Sequence, residues 1–444
     1  MDLNTKELQS LCARILDIVD ADTAEVSVDD VSELNLRHAN NDITSNSLTG
    51  RRQLGLSVSY GLRSASISFQ GTDDASLREA VAKVQAMARL VPENPEHMPP
   101  VPSAKFADPL TYAESTANAG PEEALRWVRP VIEAARAAGV DSAGYLQKSL
   151  LTSALANSAG LFVAQRQTTV DFSMTARTKD GGGSGWASTQ VTDSKELDLI
   201  PIGKRAIEKA LASKNPIERA PGRTTVLLEP AAVNDLVALL SWGLDRREFD
   251  EGRSFLNALV KAGEDPIGQQ IFGPKGNLIS DPLFAPAPCF THSGGEPLVR
   301  TPWIENGILR HLMTGRFWAK SKGIASQPIP GNLIIPGEGA SMEELISKVS
   351  DGVLITRLWY LRMVRPESLL YTGLTRDGTF AIRNGEIAGP VKNFRFNESP
   401  VNVLKNLIAS GKPERILGSE SDSPAYVPPL VVEGFNLSSV SDAA

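Results

Sequence analysis

Four stretches near the N-terminus, AEVSVDD, LNLRHAN, RQLGLSVSYG and SASISFQ, alternate apolar and polar side chains at a period of two. That period suits strands with one face buried and one face wet. Asn40-Asn41-Asp42 and Tyr60-Gly61 interrupt the alternation where a hairpin needs residues that tolerate positive φ. Around these strands, Leu8, Leu11, Ile15, Leu16 and Val19 recur at helical spacing and predict a helix over 5–20, and LREAVAKVQAMARL predicts another over about 74–90. Helix, strands and helix together make one α+β unit. From Val91 to Pro109 there are six prolines, which disfavour helix and cannot donate to a ladder, so this stretch reads as a linker.

The same order then repeats. PEEALRWVRPVIEAARAAGV opens on Pro121 and two acids, as a helix N-terminus prefers, with Pro130 expected to kink it. Strands are expected near 142–152, 161–178 and 186–191, then a helix near 199–213. No residue-level repeat accompanies this second pattern. A third unit starts near Arg223 with a buried strand, TTVLLE, and a helix begun by Pro230, and continues strand-rich. Asn-Gly in WIENGIL and AIRNGEI marks two hairpins there. The expected fold class is α+β: two tandem smaller α+β units, 1–98 and 99–220, followed by a strand-rich C-terminal domain, 221–444. A chain of 444 residues is too long for one ordinary core, which agrees with several units.

Composition excludes some functions. A net charge of −7 and no Lys/Arg cluster argue against direct contact with nucleic acid. Two cysteines, Cys12 and Cys289, lie in different units and suggest no disulfide framework. No signal peptide or membrane span is expected, so the chain reads as cytoplasmic.

The histidines are His38, His97, His292 and His311, and none falls in His-Glu-x-x-His. His38 and His311 lie on expected strands and read as satisfied structural residues, and His97 lies in the linker. Cys289-Phe-Thr-His292 places two ligand-type residues together, but with no second pair a loop thiol and imidazole is the plainer reading. Gly181-Gly182-Gly183-Ser184-Gly185 lacks the Lys-Ser/Thr and the helix of a phosphate loop, and reads as a hairpin tip. No Gly-x-Ser-x-Gly elbow occurs. Asp245-Arg246-Arg247-Glu248-Phe249-Asp250-Glu251 alternates in sign, as solvated or subunit-facing surfaces do. Just before it, Leu236, Val237, Leu239, Leu240, Trp242 and Leu244 occupy nearly all sides of a helix, which should therefore be buried.

VLLEPAAV (226–233), EGRSFL (251–256), WIENGIL (303–309), NLIIPGEGASMEELI (332–346), YTGLTRDG (371–378), IRNGEIAGPVKN (382–393) and PPLVVEGFNL (428–437) occur in an order that resembles the TldD/TldE family. The family is also called PmbA or modulator of DNA gyrase. The N-terminal strands resemble its first segment. The resemblance implies a cytoplasmic heterodimeric metalloprotease in which TldD holds zinc and TldE, without zinc, completes an enclosed peptide chamber. TldD-type chains hold the metal with a His-Glu-x-x-x-His helix and a later cysteine in Cys-Gly-Lys. Aligned without gaps from Gly252-Arg253-Ser254, that helix falls on Val237-Ala238-Leu239-Leu240-Ser241-Trp242. Val237 and Trp242 take the histidine positions, Ala238 takes the general-base position, and Ser410-Gly411-Lys412 takes the thiolate segment. Three ligands and a base are needed to hold an open zinc site that activates water. The implied role is the non-catalytic TldE side, with no catalytic or metal residue of its own.

The expected partner is a TldD-type zinc-bearing paralogue, or a second copy of this chain. The expected ligand is a peptide, with zinc confined to the partner. A stand-alone homodimeric peptide- or small-molecule-binding protein is the alternative. The sequence departs from the family at His292-Ser293-Gly294-Gly295, where an acidic Asp-x-Glu-Gly is usual, and at Asn397-Glu398-Ser399-Pro400, where a glycine-rich turn is usual.

Overall fold

In the computed structural model, which describes residues 4–418 and 424–441, the alternating N-terminal runs become long strands. Helix α1 (Thr5–Asp17) leads into β1 (Thr23–Ala39), β2 (Asp42–Tyr60) and β3 (Arg63–Phe69), and α2 (Asp74–Leu90) closes the unit. Asn40 (φ 52°) and Asn41 (φ 63°) turn β1 into β2, and Gly61 (φ 58°) turns β2 into β3. Beyond the proline-rich stretch come α3 (Glu114–Ala117), α4 (Pro121–Ala137), β4 (Val140–Asn157), β5 (Phe162–Thr178), β6 (Ser184–Val191) and α5 (Leu199–Ala212). Pro130 lies inside α4 without ending it. The triple glycine forms the tip between β5 and β6.

These strands make one antiparallel sheet in the order β3-β2-β1-β4-β5-β6. β1 pairs with β4 from Glu25↔Asn157 to His38↔Gly144, so the two helix–strand–helix units share a sheet across a central seam. Pairing β1 with β4 covers two strands that would otherwise be open edges. One face carries all four long helices. Leu8, Ile15, Leu77 and Val84 pack on Val26, Val28 and Leu56 at one end, and Val128, Val131 and Ile207 on Leu36, Leu146 and Phe172 at the other. His38 departs from expectation. It lies on β1 and is buried, yet both ring nitrogens lack a hydrogen-bond partner. Its ring stacks parallel to Phe172, 6.4 Å between centroids, and burial pulls its pKa down to about 4, so the imidazole is neutral.

The rest of the chain runs β7 (Gly222–Leu228), α6 (Pro230–Gly243), α7 (Arg246–Asp250), β8 (Leu278–Ser280), β9 (His292–Ser293), β10 (Glu296–Pro297), β11 (Thr301–Glu305), β12 (Ile308–Leu309) and α8 (Arg316–Lys322). It continues through β13 (Leu333–Ile334), α9 (Met342–Ser347), β14 (Asp351–Arg365), β15 (Leu370–Arg383), β16 (Glu386–Pro390) and β17 (Asn393–Glu398). It ends with α10 (Pro400–Lys405), β18 (Leu407–Ser410), β19 (Glu414–Ile416), β20 (Ala425–Val427) and β21 (Leu430–Ser441). Asn306-Gly307 and Asn384-Gly385 turn at positive φ between β11 and β12 and between β15 and β16. His311, expected on a strand, instead follows β12 in a loop, its Nδ1 2.7 Å from the Pro302 carbonyl oxygen.

The order β14-β7-β21-β17-β15, with β14 also paired to β15, closes these strands on themselves. A second sheet, β12-β11-β8-β13-β20-β19, lies against this ring. Helix α6 is caught between them. Its Val233, Leu236, Val237 and Leu240 share a core with Val226, Val353 and Ile355 of the ring and with Ile304, Leu333 and Val427 of the second sheet. That double packing is why the helix is apolar on almost every side.

The N-terminal sheet docks through polar pairs. Arg415 donates to Gln190 Oε1 (2.9 Å) and to Thr192 Oγ1 (2.7 Å), and Arg205 pairs with Glu414 at 2.9 Å. Among the described residues no helix is long and apolar enough to cross a membrane.

Candidate functional site

The residues that match the zinc motif occupy two different environments. Val237 is fully buried in the core, Ala238 is partly buried, and Trp242 is 67% exposed. The expectation that the whole helix is buried is therefore corrected at its last turn. Helical geometry gives the reason. Residues five apart on an α-helix point about 140° from each other, whereas residues four apart differ by about 40°. Ala238 and Trp242 thus share an outward side, and Val237 faces inward. α6 is a continuous α-helix from Pro230 to Gly243, so positions 237 and 242 diverge.

Ser410 ends β18, next to Leu430 of β21. Its hydroxyl accepts a hydrogen bond from the Glu338 amide at 3.0 Å, and its own amide donates to the Glu338 carboxylate at 3.2 Å. Glu338 also pairs with Lys275 at 2.6 Å, and hydrogen bonding from that ammonium holds the carboxyl below its usual range. Ser410 is thus a buried strand-end residue that satisfies a neighbouring backbone amide. These four positions offer no donor set for zinc. Among the described residues no group of three or more His, Cys, Asp or Glu could hold a metal ion.

Cys289 and His292 fare no better as ligands. Burial pushes the Cys289 thiol up to about 12, and among the described residues no group of three or more ligand-type side chains includes the pair. His292 lies between Phe106 (5.5 Å between centroids) and Phe290 (6.3 Å), and burial lowers its pKa, leaving a neutral ring in an aromatic slot.

Trp242 instead forms part of a cleft. A space of about 710 Å³ is lined by Trp242, Met98, Met313, Phe317, Trp318 and Ile329, with Ser293 and Gly294 on its wall. A second space of about 510 Å³ is lined by Trp242, Leu239, Phe255, Met363, Leu369 and Tyr371. Trp242 and Glu248 belong to both linings. Trp242, which takes a histidine position of the zinc motif, and the departure at His292–Gly295 therefore meet at the larger space. The neighbouring Gly243 is closely packed, since a Cβ there would stand 2.7 Å from a Leu369 methyl. Leu369 itself holds φ 45°, a costly region for a bulky residue, at the turn where Ser399 Oγ donates to the Ser368 carbonyl (2.9 Å). The Asn397–Pro400 departure is structural. Glu398 is buried and accepts from the amides of Ser399 (2.8 Å) and Asn436 (3.0 Å) and from Asn402 Nδ2 (2.8 Å).

The alternating charges form the rim, and they are paired among themselves. Asp245 caps α7 through the Glu248 amide (2.8 Å), and Arg253 reaches Glu248 (3.2 Å) and Glu251 (2.5 Å). Arg247 donates two hydrogen bonds of 2.7 Å to Glu96 and one of 2.8 Å to Glu251, and lies 5.0 Å from the Trp318 ring centroid. Its hydrogen bond to Glu96 raises the guanidinium pKa and lowers that of the carboxyl. Glu96 comes from the proline-rich stretch, so this network ties the linker to the cleft. Trp318 Nε1 donates to Asp250 (2.8 Å), which also pairs with Arg246 (3.0 Å). Sequence reasoning missed Met98 and Trp318. Two adjacent aromatics, Phe317 and Trp318 within RFWAKSK, were the only local signal, and nothing local brings them to residue 242.

Sequence models of three PmbA/TldA metallopeptidase domains match the chain: domain 1 over residues 24–88, the central domain over 113–214 and the C-terminal domain over 221–439. A protein named a metalloprotease from Methanothermobacter thermautotrophicus is 26% identical over 291 residues, which is 60% of this chain. The chain spans 61% of the length of that curated relative. The crystal structure of TldE from Thermococcus kodakarensis is similar in fold, with a TM-score of 0.85 at 18% identity, covering 97% of this chain and 99% of that one. A Thermotoga maritima protein described as a candidate modulator of a DNA gyrase superposes with a TM-score of 0.83 at 17% identity, over 97% of this chain and 99% of its own.

Proposed function

The chain belongs to the PmbA/TldD metallopeptidase family, and from that premise we propose that it acts as a TldE-like, non-catalytic subunit of a peptide-cleaving complex. One observation carries this reading. The positions that would hold zinc are divided between a packed core (Val237) and an open cleft wall (Trp242), and none supplies a ligand. The metal and the activated water would belong to a zinc-bearing paralogue. This chain would contribute a chamber wall that receives the peptide. Both cysteines are buried free thiols, which fits a cytoplasmic setting. The net charge of −7 argues against direct binding of DNA, so an influence on gyrase would pass through a processed peptide.

Co-expression with the paralogue from the same genome that carries His-Glu-x-x-x-His tests the proposal. The two chains should co-purify, and peptide cleavage should need both. Cleavage by the paralogue alone at the full rate, with no complex formed, would defeat it. A second reading, a stand-alone homodimeric peptide- or small-molecule-binding protein, draws on the uncharged Ser293-Gly294 wall that replaces the usual acids. Light scattering separates them: a defined homodimer that ignores the paralogue favours the second.

A further inference from the structure

We infer that the outer wall of the strand ring, where β14, β15 and β17 lie side by side, is a docking face for an acidic segment of a partner polypeptide. The inference goes beyond the proposed function and depends on neither the zinc-bearing paralogue nor the Trp242 clefts.

Strand register builds the face. On β15, Leu370, Thr372, Leu374 and Arg376 point to one side, and Tyr371, Gly373 and Thr375, all buried, point to the other. Residues directly opposite each other on paired strands share a side. Arg357 stands opposite Arg376, Trp359 opposite Leu374, Arg362 opposite Thr372 and Arg365 opposite Leu370. β17 adds Arg395, opposite Leu374 on its other flank. These arginines are scattered along the sequence and meet only when the three strands pair. At about 3.3–3.4 Å per residue, the strip from Leu370 to Arg376 is about 20 Å long. Met363, which lines the smaller cleft, stands opposite Tyr371 and so belongs to the inner side.

The positive charge of this strip is largely uncompensated. Asp377 is fully buried, and its carboxylate accepts from Arg357 Nε (2.7 Å) and Nη2 (2.5 Å) and from the Ser184 hydroxyl. Arg376 Nε stands 3.8 Å from the oxygen that Arg357 already holds, and makes no hydrogen bond. Arg362, Arg365 and Arg395 are exposed, and among the described residues none has a carboxylate within ion-pair distance. Aromatic rings hold two of the guanidiniums in place. Arg376 lies 4.3 Å from the Trp359 ring centroid, Arg362 lies 4.2 Å from that of Tyr360, and the two rings are 5.7 Å apart. Trp359 is 36% and Tyr360 52% exposed, so the stack itself faces solvent.

Charge complementarity selects the occupant. A guanidinium fork matches the two oxygens of a carboxylate, and a row of forks pre-set by stacking loses little freedom on meeting a run of Asp and Glu. Nucleic acid fits less well. Its phosphates would continue past a 20 Å strip onto a chain of net charge −7, and Trp359 and Tyr360 each already carry a guanidinium on a ring face that a base would need.

Fluorescence anisotropy of the isolated chain with labelled ligands tests this. Gly-Glu-Asp-Glu-Asp-Glu-Gly should bind at least about tenfold more tightly than Gly-Gln-Asn-Gln-Asn-Gln-Gly, and more tightly than a thymidine hexanucleotide. Arg362→Gln combined with Arg395→Gln should weaken the acidic peptide at least about tenfold with an unchanged unfolding midpoint. Arg129→Gln, which removes an exposed arginine of α4, should leave the affinity within about twofold. Equal binding of the acidic and amide peptides, parental affinity in the double variant, an equal loss in Arg129→Gln, or tighter binding of the oligonucleotide would each overturn the inference. So would no binding of the acidic peptide at millimolar concentration. The assay needs no paralogue, so its failure leaves the subunit role standing, and failure of the co-expression test leaves this face standing.

Discussion

Val237 and Trp242 stand five residues apart on one helix, at positions the family resemblance assigns to the same metal, and they have opposite fates. Val237 is sealed between a closed ring of strands and a second sheet, and Trp242 opens onto two clefts. The inward side of α6 is committed to stability, so chemistry there would have to displace core packing. The outward side bears little of the fold and is free to recognise something. The two residues thus stand in separate surroundings, set by a rotation of about 140° around the helix axis.

The sharpest way to break this contrast is to place histidine at each position. Val237→His should cost about 3 kcal/mol or more in denaturant unfolding, because an imidazole without partners replaces a packed side chain. Trp242→His should stay within about 0.5–1 kcal/mol of the parent, as surface changes do. The combined graft Val237→His, Ala238→Glu, Trp242→His and Ser410→Cys should be dominated by the first change. Equal costs at 237 and 242, or a stable graft that binds zinc tightly, would mean the two sides are not distinct.

A titration sharpens the contrast between packed and open groups. His38 is buried and neutral with a folded-state pKa near 4, whereas an unfolded histidine titrates near 6.5. Only the unfolded chain takes up this proton between those values, so the stability His38 permits is complete above about pH 6.5 and falls as pH drops toward 4. The loss should approach about 3 kcal/mol. In His38→Phe this part of the pH dependence should vanish. A variant whose stability falls with acid as steeply as the parent's would show that other groups are responsible.

The smallest effect belongs to the rim. Arg247→Ala removes the pairs with Glu96 and Glu251, but these side chains are roughly one-third exposed or more, so solvent screening should leave the unfolding midpoint nearly unchanged. The more telling readout is proteolysis within residues 91–109, which should quicken when Glu96 loses its anchor. An unchanged digestion pattern would show that the linker is held by other contacts.

Much of this architecture was legible because its signals are local. Asn40-Asn41, Asn306-Gly307 and Asn384-Gly385 turn where their tolerance of positive φ says they should, and Pro230 starts α6. The closing of the ring by β14 and β15 was not legible, since strand partners far apart in sequence leave no periodic trace. The pairing of β1 with β4 was hidden in the same way. Trp242 illustrates a different limit. A helix apolar on all sides declares burial without naming the side that stays open, and the residues that frame its cleft come from the linker, α8 and β14. His38 was misread because its alternation revealed the face but not the absence of a partner.

Zinc content measured on the isolated chain and on its co-purified complex tests the central claim most directly. The account predicts about one equivalent of zinc per pair, lost with the partner's motif, and less than about a tenth of an equivalent on this chain alone, since no group of three ligands stands among its described residues. A full equivalent on the isolated chain, accompanied by chelator-sensitive peptide cleavage, would contradict it.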